Sequence, residues 1–202
     1  MTRIHIRTFL ANTSRDSVQN VQRFARYGLP GSKGHNYFWS SDKAIRSLTI
    51  GGEVYDQVIH HATNIDKVDE RETNENIIKT FYGWWLGHKA EGFIPPTGWL
   101  DGPKGALSVG IYPTFALMTK PQKEVVLTFA AKEPLPKRIA GLGVYMMKKA
   151  LDPDGVLGLK FVVHDLTKGV RHCEGAIPKH ADRILQIELA RQEDAYLATN
   201  AA

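Results

Sequence analysis

Hydrophobic and polar positions change their period several times along the 202 residues, and each change marks an expected element. Ile4, Ile6, Thr8 and Leu10 alternate with Arg3, His5, Arg7 and Phe9, which predicts a half-exposed strand. Ser14 is placed to cap a helix from Arg15 to Tyr27, with Val18, Val21 and Ala25 at helical spacing. The run Gly28-Leu29-Pro30-Gly31-Ser32-Lys33-Gly34 stops that helix. Asp42 to Leu48 and Glu53 to Ala62 then read as short helices separated by Gly51-Gly52, the second keeping Val54, Val58 and Ala62 on one face. A charged stretch, Asn64 to Glu75, leads into a stronger helix in which Ile77, Ile78, Phe81, Trp84, Trp85 and His88 form a broad apolar stripe, expected to pack in the core. Gly92 through Gly105 is rich in glycine and proline and reads as a crossing.

The best-ordered section runs from Gly105 to Asp165. Leu107, Val109 and Ile111 alternate with Ser108, Gly110 and Tyr112, and Phe115 to Met118 forms a short second strand closed by the turn Lys120-Pro121-Gln122-Lys123. Glu124 to Lys132 reads as the firmest strand, with Val125, Leu127, Phe129 and Ala131 on one face and Glu124, Val126, Thr128, Ala130 and Lys132 on the other. Pro134 and Pro136 announce a helix whose Ile139, Leu142, Gly143, Met146 and Ala150 share a face. Asp152-Pro153-Asp154-Gly155 turns the chain into a last strand, Val156 to His164. Arg171 to Pro178 reads as irregular, and His180 to Leu197 as a closing helix. The fold class is therefore α+β, a small central mixed sheet of about four to five strands flanked by helices. One domain spans 1–202, with a basic, mainly helical part at 1–62, an α/β core at 63–165 and a C-terminal loop and helix at 166–202.

Composition narrows the class. Hydrophobic content of 43% suits a packed protein, and no run approaches the roughly 18 apolar residues that span a bilayer. The N-terminal residues lack a signal-peptide core, so no membrane association is expected. A single cysteine, Cys173, allows no internal disulfide, and a cytoplasmic location is expected. The net charge of +5 is unevenly spread. Residues 1–50 hold 8 Lys/Arg against 2 Asp/Glu and residues 81–150 hold 9 against 4, whereas residues 51–80 hold 3 against 7. Two basic blocks thus flank an acidic one, and basic blocks attract phosphate backbones when they share a surface.

With the tryptophan helix included, the order helix–strand–strand–strand–helix–strand resembles the core of the restriction-endonuclease-like, PD-(D/E)XK, superfamily. The resemblance implies an acid on the second strand and an acid-x-Lys triplet on the third, because Mg²⁺ takes hard oxygen ligands and the lysine orients the attacking water. Here the triplet reads Ala130-Ala131-Lys132, and the preceding strand, Thr114 to Thr119, has no carboxylate. Glu124 shares a face with Lys132 but stands roughly 27 Å away along an ideal strand. The resemblance thus implies a metal-free, catalytically inactive copy. In addition, Phe81-Tyr82-Gly83-Trp84-Trp85, Ile111-Tyr112-Pro113 and Leu127 to Leu135 resemble blocks of bacterial hypothetical proteins with no known activity.

Other chemistry is thinly signalled. The glycine-rich loop lacks the strand–GxxxxGK[ST]–helix setting of a phosphate loop and reads as a surface connection. His60-His61 are helix neighbours that point about 100° apart, which does not suit joint chelation. His164-Asp165 and His172-Cys173 lack zinc-ligand spacing, and Cys173 reads as an inert thiol. Tyr37-Phe38-Trp39 beside Lys33, Lys43 and Arg46 can stack a base or dock its arm on the core. The expectation is a non-catalytic binding or accessory protein without a cofactor, contacting nucleic acid or an acidic protein partner through Arg3, Arg7, Arg23, Arg26, Trp39, Lys132, Lys137 and Arg138. The alternatives are a metal-dependent nuclease with carboxylates relocated to Glu72, Glu75 or Asp165, or a subunit of a larger assembly, a homo-oligomer included.

Overall fold

The computed structural model describes residues 1–27, 37–88, 90–119 and 122–200. The glycine-rich loop with Lys33 and the Lys120-Pro121 half of the turn lie outside the described residues. In chain order the elements are β1 (Thr2–His5), α1 (Ile6–Thr13), α2 (Ser17–Tyr27), α3 (Trp39–Thr49), α4 (Tyr55–Val58), α5 (His60–Thr63), α6 (Val68–Leu86), β2 (Glu91–Phe93), β3 (Gly98–Asp101), β4 (Leu107–Ile111), β5 (Phe115–Thr119), β6 (Gln122–Phe129), α7 (Lys137–Leu151), β7 (Leu159–Asp165), β8 (Val170–His172) and α8 (Ala181–Asn200), with a 3₁₀ turn at Glu174–Ala176. The fold is α+β, with two mixed sheets instead of the one expected.

The larger sheet runs β2-β5-β6-β7-β8, with β6 and β7 parallel and every other pair antiparallel. The smaller runs β1-β4-β3, in which β1 is parallel and β3 antiparallel to β4. The strand expected to open the nuclease-like core, β4, therefore belongs to the other sheet. Its place beside β5 is taken by β2, one of two strands folded from the stretch read as a crossing. Pro95 and Pro96 separate β2 from β3, so each strand is too short to show a period of two.

The N-terminal strand is half as long as its alternation predicted. Ile6, Phe9 and Leu10 are also at helical spacing, and all three are buried. His5 ends β1 in an extended conformation, and its Nδ1 accepts the Arg7 backbone N–H at 3.1 Å, capping α1. The cap of α2 is Asp16, whose Oδ1 accepts the Gln19 N–H at 2.8 Å, whereas Ser14 closes α1 by bonding back to the Ala11 carbonyl. The inward face of α2 carries Asn20 and Phe24, while Val18 and Ala25 are exposed. The expected helix at Glu53 to Ala62 is two short helices, and Val54 stays outside.

Strand β6 ends at Phe129, whose carbonyl accepts the Leu166 N–H at 2.8 Å, so Lys132 lies beyond the sheet in an exposed turn. Strand β7 starts late because Asp152 accepts the N–H groups of Leu157 and Leu159, holding Val156 in a loop. Helix α7 buries Leu142, Gly143 and Met146 as its spacing indicated. Gly141 is required by approach: a Cβ there would sit 1.9 Å from the Ala176 carbonyl oxygen.

One core lies between the larger sheet, α7, α1 and α8, around Phe9, Leu127, Phe161 and Leu189. The other lies between the opposite sheet face, α3 and α6, around Ile45, Phe81, Phe115 and Val162, with Trp84 and Trp85 packed against it. No helix among the described residues is long and apolar enough to cross a membrane.

Candidate nucleic-acid interface

An open cleft of about 1720 Å³ runs along β1 and α1 to the turn after β6. Cations reach it from separate segments: Arg3 and Arg7 at the chain start, Arg15 and Arg23 around α2, Arg46 on α3 and Lys132 after β6. The lining acids are Asp42 and Glu133, and Asp42 is neutralised by an ion pair to the Arg7 guanidinium. Four of the residues expected to bind, Arg3, Arg7, Arg23 and Lys132, are thus brought to one surface. Arg26, Lys137 and Arg138 are exposed outside the lining, and Trp39 opens an adjoining groove.

These cations are not equivalent. Arg7 is a structural hub: its Nε donates to the Thr128 carbonyl at 2.7 Å, and Nη2 donates to the hydroxyls of Thr114 and Thr128 at 2.8 and 3.0 Å. With Nη1 on Asp42, the guanidinium ties α1 to β6 and α3, and its charge is balanced by that carboxylate. Arg3 lies 5.0 Å over the Trp99 ring, and Arg15 donates to Asn12 Oδ1 at 3.3 Å. Arg46 and Lys132 are exposed and have no ion-pair partner among the described residues.

His5 adds a neutral donor to the same wall. Burial first, and then the Arg7 charge, push its pKa down to about 3. Since Nδ1 accepts a hydrogen bond, the ring proton sits on Nε2 near neutral pH. Tyr112 packs against His5 at 5.6 Å and meets Trp99 edge-on at 5.2 Å, so the rim beside Arg3 is aromatic.

A second polar cluster lies on the α6 face of the larger sheet. Glu124 receives Arg171 at 2.5 Å and Lys160 at 3.4 Å; burial alone would raise its pKa, but Arg171, with help from Lys160, holds the carboxyl below its ordinary value. Arg171 also stacks over Trp84 at 4.7 Å. Beside it His164 is 1% exposed, and burial first, then the Arg171 charge, lower its pKa to about 4. Its Nδ1 has no hydrogen-bond partner among the described residues. Glu124 is thus paired with two cations.

The carboxylates named for a relocated metal site stand on different elements. Glu72 and Glu75 lie on α6, whereas Asp165, at the end of β7, accepts the Leu135 and Thr167 N–H groups at 2.9 Å each and so ties down the segment that leads into α7. Among the described residues no group of three His, Cys, Asp or Glu side chains is placed to hold a metal ion. Cys173 packs against the second core.

The expected aromatic cluster divides. The Tyr37 hydroxyl bonds to the Asp69 carbonyl at 2.9 Å and Phe38 packs on the second core, so these two dock the arm. Trp39 instead remains 57% exposed. The sequence pattern does not single out Arg15 and names Arg46 only beside the aromatic cluster, because only the tertiary fold reveals which arginines share a cleft. No protein-family model matches the chain, and a search of curated proteins finds no match.

Proposed function

We propose that this protein is a non-catalytic nucleic-acid-binding or accessory factor whose cleft receives a phosphate backbone. The carrying observation is the gathering of Arg3, Arg15, Arg23, Arg46 and Lys132 around one open cleft whose described lining acids are Glu133 and Asp42, the latter paired with Arg7. A polyanion entering such a surface releases counterions and gains favourable charge contacts without base specificity. The order α6–β2–β5–β6–α7–β7 supports the nuclease-like scaffold, with β3 and β4 diverted into the smaller sheet. The lack of a carboxylate on β5, and the end of β6 before Ala130-Ala131-Lys132, favour binding over metal-dependent cleavage. A bacterial, cytoplasmic setting fits the resemblance and the single cysteine.

Fluorescence anisotropy with single-stranded and duplex DNA and RNA of about twenty nucleotides, across a salt series, tests this reading. Affinity is expected to fall linearly on a log–log salt plot. Arg46→Ala and Lys132→Ala are each expected to reduce the slope by about one unit. Absence of binding at about 50 mM salt would remove the nucleic-acid reading and leave an acidic protein partner.

A further inference from the structure

The cleft continues into a smaller groove of about 490 Å³ across the outer face of α3, with Asp42 and Arg46 lining both. Trp39, Asp42, Lys43, Arg46 and Ile50 follow the spacing i, i+3, i+4, i+7, i+11 and form one outward stripe. The opposite stripe, Ala44, Ile45 and Leu48, is buried. The start of the helix is held firmly. Asn74 Oδ1 accepts the Ser41 N–H at 3.0 Å, and Asn74 Nδ2 donates to the Tyr37 carbonyl at 2.8 Å. Trp39 is therefore held at the rim of a groove whose far wall includes Ile94, itself 73% exposed.

Resting on the function proposed above, we infer that the nucleic acid is single-stranded and that one unpaired base stacks on Trp39 while neighbouring phosphates meet Lys43 and Arg46. The groove combines an aromatic ring, aliphatic walls and flanking cations, with Lys43 Nζ 5.3 Å from the ring centroid. A nucleobase offers the flat apolar face that such a ring takes, and its phosphates supply the opposite charge. A duplex keeps its base faces stacked inside and cannot present one to an exposed ring without extruding it. Trp99, another exposed indole near the cleft, has Arg3 over its ring and Tyr112 edge-on against it; Trp39 has Lys43 over its ring but no aromatic neighbour among the described residues, and it is 57% exposed against 42% for Trp99, so Trp39 offers more ring for stacking. Asp42 does not repel the strand, because Arg7 neutralises it.

The full-length chain and its Trp39→Ala and Trp39→Phe variants are titrated into labelled oligothymidylate and into a duplex of equal length. Trp39→Ala is expected to weaken single-strand binding about tenfold, the size of one base–aromatic stack, with the salt slope and duplex affinity unchanged. Trp39→Phe keeps most of the affinity. Unchanged single-strand binding by Trp39→Ala would overturn the inference, as would an equal loss on both substrates. Wild-type binding to duplex alone would overturn it while leaving the cleft's proposed role standing. Binding to neither substrate would remove both.

Discussion

One face of the larger sheet presents Ala116, Val125, Leu127, Phe129, Phe161 and Val163 to the α7 side and is apolar until Asp165 caps its end. The other sets Glu124, Thr128 and His164 among Phe115, Leu117, Val126 and Val162, under α3 and α6. Both faces are closed to water, but they are stabilised differently. The first depends on burial and close backbone approach. The second depends on paired polar groups: Arg7 bonds Thr128 and Thr114, and Arg171 and Lys160 hold Glu124, while His164 stays neutral with its Nδ1 unpartnered among the described residues. An apolar face tolerates shape-preserving change, whereas a polar one fails when a single partner is removed. The polar face is also the one that meets the cleft, through Arg7 and Asp42.

Four perturbations probe this contrast. Leu127→Ala, on the apolar face, is expected to cost about 4 kcal/mol through lost burial and a residual cavity, read as a shift in the urea midpoint. Arg7→Ala is expected to cost about 3 kcal/mol, because it leaves Asp42 without its cation and removes the donor to the Thr128 carbonyl, while the Thr114 and Thr128 hydroxyls keep their bond to each other; a cost no larger than that of an ordinary surface substitution would remove the hub. Gly141→Ala should cost about 2 kcal/mol, since its Cβ would run into the Ala176 carbonyl and force α7 away from the 3₁₀ turn. The smallest effect is a pH slope. The folded pKa of His164, about 4, lies below its ordinary value of 6.5, so its contribution is fully present above pH 6.5 and is lost as pH falls toward 4. His164→Leu should reduce the slope of stability in that window by up to about 1.4 kcal/mol per pH unit, with urea midpoints at stepped pH as the measurement. His5, whose folded pKa is about 3, adds to the wild-type slope in the same direction and remains in the variant.

Much of the apolar face was legible in the chain. The spacing of Val125, Leu127 and Phe129 marked one side of β6, and that of Leu142, Gly143 and Met146 marked the helix that covers it. The polar face was legible only as a pattern. Alternation placed Glu124 and Thr128 together, but not the arginines that reach them from 47 and 121 residues away in sequence. The N-terminal segment misled because Ile4, Ile6, Thr8 and Leu10 satisfy a strand period while Ile6, Phe9 and Leu10 satisfy a helical one. Burial against α7 decided for the helix from Ile6 onward.

For the candidate interface, local sequence determined that the chain start and the residues near Lys132 are basic and that aromatic residues gather before α3. Tertiary structure decided the rest. It committed the Arg7 donors to the core, sent Arg26, Lys137 and Arg138 elsewhere, added Arg15, brought Arg46 to the cleft, and separated Trp39 from Tyr37 and Phe38. The reason is physical. Charge and hydrophobic period are properties of neighbours along the chain, whereas a cleft is formed by segments that meet only after both faces of the sheet are covered.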